Sequence, residues 1–252
     1  MEFVEKGNEK GKTIMLLPGT CCNWQTNFAK VIPKLSEKYY LICVNYDGFD
    51  GSKSTYSDMQ TITEKIENYI IKNFDGKLDA AIGSSLGASF VGQMIQRQRI
   101  HIDHGIFGSP DLDQTGKIQA KVETVIMSAM IKSFIKNDKR KQKTKSKLMK
   151  EFMMEESTAD AFVTGLSKYS IESIKNEFQT DLLTHLENEI EVDNTKVHFI
   201  YASKMGPKYL KRYKKHFKNP EIKEFDMNHE QWLFGDERYT VPVLQAIDGF
   251  LE

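Results

Sequence analysis

The chain has 252 residues, and its 35 Lys and Arg residues balance 35 Asp and Glu residues. A formal charge of zero argues against a dedicated nucleic-acid-binding protein, because such proteins normally carry a large basic surplus. Hydrophobic residues make up 40% of the chain, as in ordinary globular proteins. A chain of this size buries roughly 70–75% of its unfolded surface, so we expect one large domain.

Membrane, metal and disulfide signals are missing from the sequence. No apolar run approaches the roughly 20 residues of a membrane span, and the first twelve residues contain no signal-peptide core. The three cysteines lack CxxC spacing, and no HExxH pair occurs. The sequence therefore predicts a cytoplasmic protein without membrane insertion, a bound metal or a cofactor.

Short apolar segments alternate with helical patterns along the chain, which is typical of a mostly parallel sheet covered by helices. Six segments are too short for buried helices and predict strands: 13–17, 40–44, 78–82, 104–107, 197–201 and 222–225. A helix with its apolar side at Ile62, Ile66 and Ile70 follows Ser57 and Gln60, which have capping-box spacing. Thr240 is predicted to cap a last helix.

Residues 112–195 break this alternation and predict an inserted helical cap, with residues 1–111 and 196–252 forming the core. Residues 136–150 hold eight basic residues and one acid, whereas residues 151–193 hold eleven acids and two lysines. We interpret these runs as solvated helix faces that pair with each other, and a docking surface for an anionic partner is the alternative. Five methionines of the cap are candidates for the lining of a moderately apolar acyl pocket, and packing of the cap helices against one another is the alternative: Met127, Met130, Met149, Met153 and Met154.

The pentapeptide from Gly83 to Gly87, Gly-Ser-Ser-Leu-Gly, matches the G-x-S-x-G pattern of a nucleophile elbow. It lies between a predicted strand and a small-residue helix, where a sharp turn lifts the central hydroxyl off the sheet edge. Small flanking glycines relieve clashes in such a strained turn. Ser85 is therefore the predicted nucleophile, and a plain Gly/Ser turn is the alternative.

This arrangement resembles the α/β-hydrolase superfamily. Residues 16–20, followed by Trp24, look like the first oxyanion segment of that family, with Pro18 in the place of the usual His. Residues 45–52 resemble the loop after the next strand, with Asn45 where Asp is usual. The resemblance implies an α/β fold with a mostly parallel central sheet, flanking helices and an inserted helical cap. It also implies an oxyanion hole formed by the backbone N–H groups of Thr20 and Leu86.

The resemblance also implies a base and an acid. His229 follows the last predicted strand, where the family places its catalytic His, and a neutral imidazole accepts a serine proton. The usual acid after strand 197–201 is missing, because residues 202–220 contain no Asp or Glu. Some relatives carry the acid after the strand that follows the nucleophile helix, which here indicates Asp111, with Asp113 as second choice. A Ser/His dyad, completion by Glu230 and an inactive site remain alternatives.

The resemblance predicts a serine hydrolase that cleaves a carboxylic ester or thioester, as a small-molecule substrate, through an acyl-enzyme. Relatives of this superfamily also cleave C–C bonds, act on lactones or amides, or transfer acyl groups, so fold does not define the reaction. One alternative is a thioesterase or acyl transferase whose basic runs dock an acidic carrier protein. Another is a catalytically silent ligand-binding protein, and a homodimer is compatible with each.

Overall fold

The structure, a computed structural model, describes residues 1–112, 114–234 and 236–252. These residues form one seven-stranded sheet in the order β1-β3-β2-β4-β5-β6-β7. Only β1 runs antiparallel to its neighbour, and the other described pairs are parallel. The strands are β1 Glu2–Gly7, β2 Thr13–Leu17, β3 Tyr40–Asn45, β4 Lys77–Ser84, β5 His101–Gly108, β6 Lys196–Ala202 and β7 Glu221–Phe225.

Ten α-helices occur in the described residues and account for most of the connections between strands. They are α1 Trp24–Asn27, α2 Ile32–Ser36, α3 Met59–Asn73, α4 Leu86–Arg97, α5 Lys117–Ile135, α6 Asp138–Glu151, α7 Glu156–Lys168, α8 Ile171–Leu183, α9 Lys208–His216 and α10 Glu237–Phe250. None of them is long and apolar enough to cross a membrane. The mostly parallel sheet with helices confirms the fold class expected from the sequence.

All six predicted strands are present, each within a few residues of its expected bounds. The sequence does not predict β1, which pairs with β3 at the edge of the sheet and has no fully buried residue. An edge strand is covered on fewer sides than a central one, so it needs less apolar sequence than the runs that identified the other strands.

Apolar side chains cover both faces of the sheet. On one face, the predicted apolar side of α3 is fully buried, with Ile62, Ile66 and Ile70 each 0% exposed. On the other face, α10 contributes Val243 and Ile247 to a second cluster. The sheet therefore lies between two apolar layers. Burial of each such side chain stabilises the fold by about 1.5–3 kcal/mol.

Two predicted helix starts are wrong. The N-cap of α3 is Asp58, whose carboxylate accepts the Thr61 N–H, and the capping box of Ser57 and Gln60 is not formed. Similarly, α10 begins after Asp236, and Thr240 lies inside the helix, where its hydroxyl donates to the Trp232 carbonyl. In both cases an aspartate takes the cap, because a carboxylate is a strong acceptor at the positive end of a helix.

Helices α5–α8 lie between β5 and β6 and are called the four-helix segment below. Within it, α5 packs against α8, and α6 packs against α7. The segment buries few residues, and α6 buries none. It occupies most of the 112–195 range predicted as a cap.

Candidate active site

The turn between β4 and α4 holds Ser85 in a strained conformation. Its φ of 48° and ψ of −111° lie in a region that non-glycine residues rarely adopt, at a cost of order 1–3 kcal/mol. Its N–H donates to the Gly108 carbonyl at 2.9 Å. A Cβ on Gly87 would stand 2.0 Å from the Leu17 oxygen, and one on Gly83 would stand 2.3 Å from the Ala88 nitrogen. Close packing on both sides therefore fixes this turn.

Thr20 and Leu86 line the same cavity as Ser85. Leu86 is the first residue of α4, so its N–H has no carbonyl partner within the helix. Among the described residues, the Thr20 N–H donates no hydrogen bond either. An oxyanion requires two backbone donors beside the serine hydroxyl, and both residues predicted to supply them line this cavity.

The loop that carries Thr20 is held from two directions. The Gly19 N–H donates to the Asn27 amide oxygen at 2.7 Å, and the Cys21 N–H donates to a Glu177 carboxyl oxygen at 2.8 Å. Glu177 belongs to α8, is 0% exposed, and burial raises the pKa of its carboxyl to about 8. The four-helix segment thus holds the loop in place. The sequence gives one indication of this contact: Glu177 lies one turn after Ile174, on the apolar side of its helix.

His229 lies on the loop after β7 and is partly buried. Burial lowers the pKa of its imidazole, and the charge of Asp111 opposes that change. Its Nδ1 lies 3.4 Å from the sulfur of Met205, which follows β6. A thioether therefore faces the nitrogen that a carboxylate faces in a Ser-His-Asp triad. Met205 also stands in the region where the sequence lacks the usual acid.

Glu230 brings the His229 loop to the serine turn. Its carboxylate accepts the Ser84 hydroxyl at 3.0 Å, so the residue after His229 touches the residue before Ser85. Within the described residues, no hydrogen bond joins Ser85 and His229 directly. Glu230 is almost fully buried, and desolvation raises the pKa of its carboxyl to about 8 despite the Ser84 bond.

Asp111 lines the Ser85 cavity but is exposed. In the described part of the chain its carboxylate makes no hydrogen bond to His229, and only its backbone carbonyl is bonded, to Arg212 at 2.8 Å. Its effect on His229 is therefore one of charge at a distance. Asp113, the second choice for the acid, lies outside the described residues.

The cavity above Ser85 has a volume of about 250 Å³. The sheet edge provides one wall, and α5 and α8 provide the other. The lining residues are Thr20, Ser85, Leu86, Ser89, Asp111, Glu123, Thr124, Met127, Phe178, Asp181 and Leu182. Of the five methionines predicted to line a pocket, only Met127 does so. Three carboxylates and no basic side chain appear in this lining.

The described residues provide no cluster of metal-ligating side chains. They contain no group of three or more His, Cys, Asp or Glu side chains that could hold a metal ion. All three cysteines are buried free thiols.

No protein-family model and no curated protein matches the chain. Solved structures do match it. A protein from Desulfitobacterium hafniense assigned to the alpha/beta hydrolase family is 17% identical, has a TM-score of 0.75, and the match covers 98% of this chain and 99% of that one. MenH from S. aureus is 15% identical, with a TM-score of 0.76 and coverage of 100% and 98%.

A third match is the type II thioesterase BorB from the borrelidin biosynthetic cluster, which is 13% identical, with a TM-score of 0.69 and coverage of 99% and 97%. The chain therefore has the α/β-hydrolase fold over its whole length. This confirms the fold predicted from the sequence.

Proposed function

We propose that the protein is a serine hydrolase that cleaves a carboxylic ester or a thioester through an acyl-enzyme on Ser85. The observation that carries the proposal is the strained turn at Ser85, which opens into a cavity. A serine with a positive φ persists only where the surrounding structure enforces that conformation, and such backbone strain concentrates at functional sites. The shared fold of a solved esterase and a solved thioesterase supports the reaction class.

In the proposed reaction, the Ser85 oxygen attacks the substrate carbonyl carbon while His229 accepts the hydroxyl proton. Burial lowers the pKa of His229, so the imidazole is neutral at pH 7 and able to act as a base. The N–H groups of Thr20 and Leu86 stabilise the oxyanion. The alcohol or thiol leaves with the proton from His229, and water then releases the acid and regenerates Ser85.

We assign to Asp111 the role of the carboxylate that supports His229, and it acts through its charge without a direct contact. Its carboxylate raises the pKa of the imidazole, which is the direction that stabilises the imidazolium formed during attack. The Met205 sulfur lies 3.4 Å from the imidazole Nδ1 and is proposed to orient the ring without supplying charge. This differs from a triad in which a carboxylate accepts the Nδ1 proton.

The four-helix segment is proposed to act as the cap of a cytoplasmic enzyme. Met127 of α5 and Phe178 and Leu182 of α8 give the cavity an apolar wall. Its volume of about 250 Å³ suits a small acyl group. The acidic lining favours neutral or cationic groups over anionic ones.

A fluorophosphonate probe tests the proposal before any substrate is known. We expect stoichiometric labelling at Ser85, read by intact mass and peptide mapping, with no labelling of Ser85→Ala and slow labelling of His229→Ala. Ser89→Ala is the matched control, because Ser89 is a second half-buried hydroxyl on the same cavity. Unlabelled but folded wild-type protein would contradict the proposal and favour a silent ligand-binding protein.

A thioesterase or acyl transferase that uses a carrier protein is the second candidate. The basic helix α9 favours it, because Arg212 of α9 bonds the Asp111 carbonyl at the cavity rim. A phosphate-bearing carrier arm would meet these charges. If the protein uses a carrier, the double variant Lys208→Gln with Lys211→Gln should lower the turnover of carrier-bound acyl groups and leave the hydrolysis of a free ester unchanged. Added salt should also lower the turnover of the carrier-bound substrate, because it screens the basic charges.

A further inference from the structure

Helix α5 exposes an apolar stripe, defined here as Ile118, Val122, Val125 and Ile126. These four side chains are between 53% and 84% exposed. Their spacing of four, seven and eight residues from Ile118 puts them on one side of the helix. Exposed apolar residues are common singly, but a contiguous set marks an interaction surface.

The opposite side of α5 already has its partners. Glu123, Thr124 and Met127 line the Ser85 cavity, and Ile131 and Phe134 are buried. The stripe is therefore additional to the apolar surface that α5 uses inside the protein. A helix that is apolar on both sides is expected to be covered on both sides.

Positive charge borders the stripe. At 100° per residue, Lys121, Lys132 and Lys136 lie within about 60° of Ile118 around the helix axis. Arg140 of α6 donates to the Ser133 hydroxyl, which lies on the same side of α5 about two turns beyond Ile126, so α6 begins past the C-terminal end of the stripe.

The wider stretch of residues 117–150 holds eleven basic residues and two acids. One of these acids, Glu123, faces the cavity. The other, Asp138, pairs with Lys141. Lys145 of α6 also pairs with Glu156 and Asp160 of α7. In the described part of the chain, by contrast, no ion pair includes Lys121, Lys132 or Lys136, so these three lysines are the charge that borders the stripe.

We propose that the stripe and its basic border dock on an anionic lipid bilayer surface. A bilayer interface offers a wide apolar layer beneath a sheet of negative headgroups, which matches both features at once. A symmetric dimer through the stripe would instead set the same lysines against each other. The stripe lies on the side of α5 that faces away from the Ser85 cavity, so the proposal goes beyond the proposed hydrolase activity and does not depend on it.

The test is co-sedimentation of the full chain with vesicles. We expect binding to phosphatidylcholine vesicles that contain about 30 mol% phosphatidylglycerol and little binding to phosphatidylcholine alone, with the difference lost at high salt. Ile118→Gln with Ile126→Gln removes apolar contact without changing charge, and should weaken binding at least about tenfold. Ile71→Gln is the matched control, because Ile71 is an exposed apolar residue on α3.

A second pair of variants tests the charge. Lys132→Gln with Lys136→Gln should weaken binding roughly fivefold for each lysine, whereas Lys10→Gln with Lys53→Gln should not. Equal binding to both vesicle types, no binding, or full binding by the stripe variant would overturn the proposal. A dimer in light scattering that the stripe variant dissociates, with no vesicle binding, would also overturn it. Melting temperature and hydrolysis of a water-soluble ester verify that each variant is folded, so a failed docking surface and a failed active site are distinguishable.

Discussion

The carboxyl edge of the sheet and the four-helix segment both line the cavity at Ser85, but they are built differently. At the sheet edge, Leu17 and Ile82 are completely buried, and the serine turn leaves no room for a single extra methyl group. In the segment, α6 buries no residue, and α5 exposes its apolar stripe. Tightly packed backbone therefore holds the candidate chemistry, while a loosely packed helical layer borders it.

Glycine-to-alanine changes should have the largest effect and should differ most between the two regions. A Cβ on Gly87 would stand 2.0 Å from the Leu17 oxygen, whereas one on Gly165 of α7 would meet only the Tyr169 ring, at 3.6 Å or more. We expect Gly87→Ala to lower the free energy of unfolding by about 3 kcal/mol. Because the nucleophile would move, labelling at Ser85 should slow by roughly 100-fold or more.

Gly165→Ala provides the control in the same measurements. Alanine has the higher helix propensity, so urea unfolding should show a gain of about 0.5–1 kcal/mol and an unchanged labelling rate. If Gly87→Ala retained wild-type stability and labelling, the turn would be more pliable than the structure indicates, and the proposed contrast would fail.

A variant of Asp111 tests whether a distant charge or a direct contact supports His229. Because Asp111 raises the pKa of the imidazole, Asp111→Asn should lower that pKa and move the acidic limb of the kcat/KM profile to lower pH. The rate at pH 7 should fall by about 10- to 100-fold, less than the roughly 10⁴-fold loss when a directly bonded triad acid is changed. Met205→Leu, which keeps the packing, should leave the pH profile unshifted.

Two buried carboxyls, one from each region, make stability depend on pH. Burial raises the pKa of both Glu177 and Glu230 to about 8, so the protonated forms stabilise the fold. That stabilisation is complete below the unfolded pKa near 4.5 and is lost as pH rises to about 8. Four histidines have lowered pKa values and act in the opposite direction, but only below about pH 6.5: His104, His198, His216 and His229.

Between pH 6.5 and pH 8 the free energy of unfolding should therefore fall, by about 2 kcal/mol for each carboxyl. Glu177→Gln and Glu230→Gln should each remove about half of this slope in urea unfolding at the two pH values. Glu37→Gln, at an exposed position, should leave it unchanged. If only Glu230→Gln altered the dependence of stability on pH, the Glu177 carboxyl of α8 would not be buried in solution.

Local patterns predicted most of the fold. The six strands and the serine turn depend on short apolar runs and on glycine spacing, which are readable within ten residues. β1 was not predicted, because an edge strand needs few apolar residues. The two wrong helix caps reflect a choice among neighbouring acceptors, which only the folded backbone decides.

Long-range contacts at the site could not be predicted in this way. Glu177 holds the loop of Cys21 from 156 residues away, and nothing local marks it as a partner. The missing acid after β6 was visible in the sequence, but the placement of Met205 against His229 depends on how two loops meet. Four residues predicted for the site line the serine cavity: Thr20, Ser85, Leu86 and Asp111. His229 does not occur in the described lining. Of the lining residues on α5 and α8, only Met127 was predicted.

The smallest predicted effect concerns the charge that α5 brings to the cavity. Glu123 lines it without a role in the proposed chemistry, so Glu123→Gln should raise kcat/KM for an ester with an anionic acyl group by about threefold, through KM. A neutral ester of the same shape should be hydrolysed as before, and Glu172→Gln, at an exposed position of α8, should change neither substrate. If both esters responded alike, the helix would influence the serine turn itself, and access and chemistry could not be assigned to separate regions.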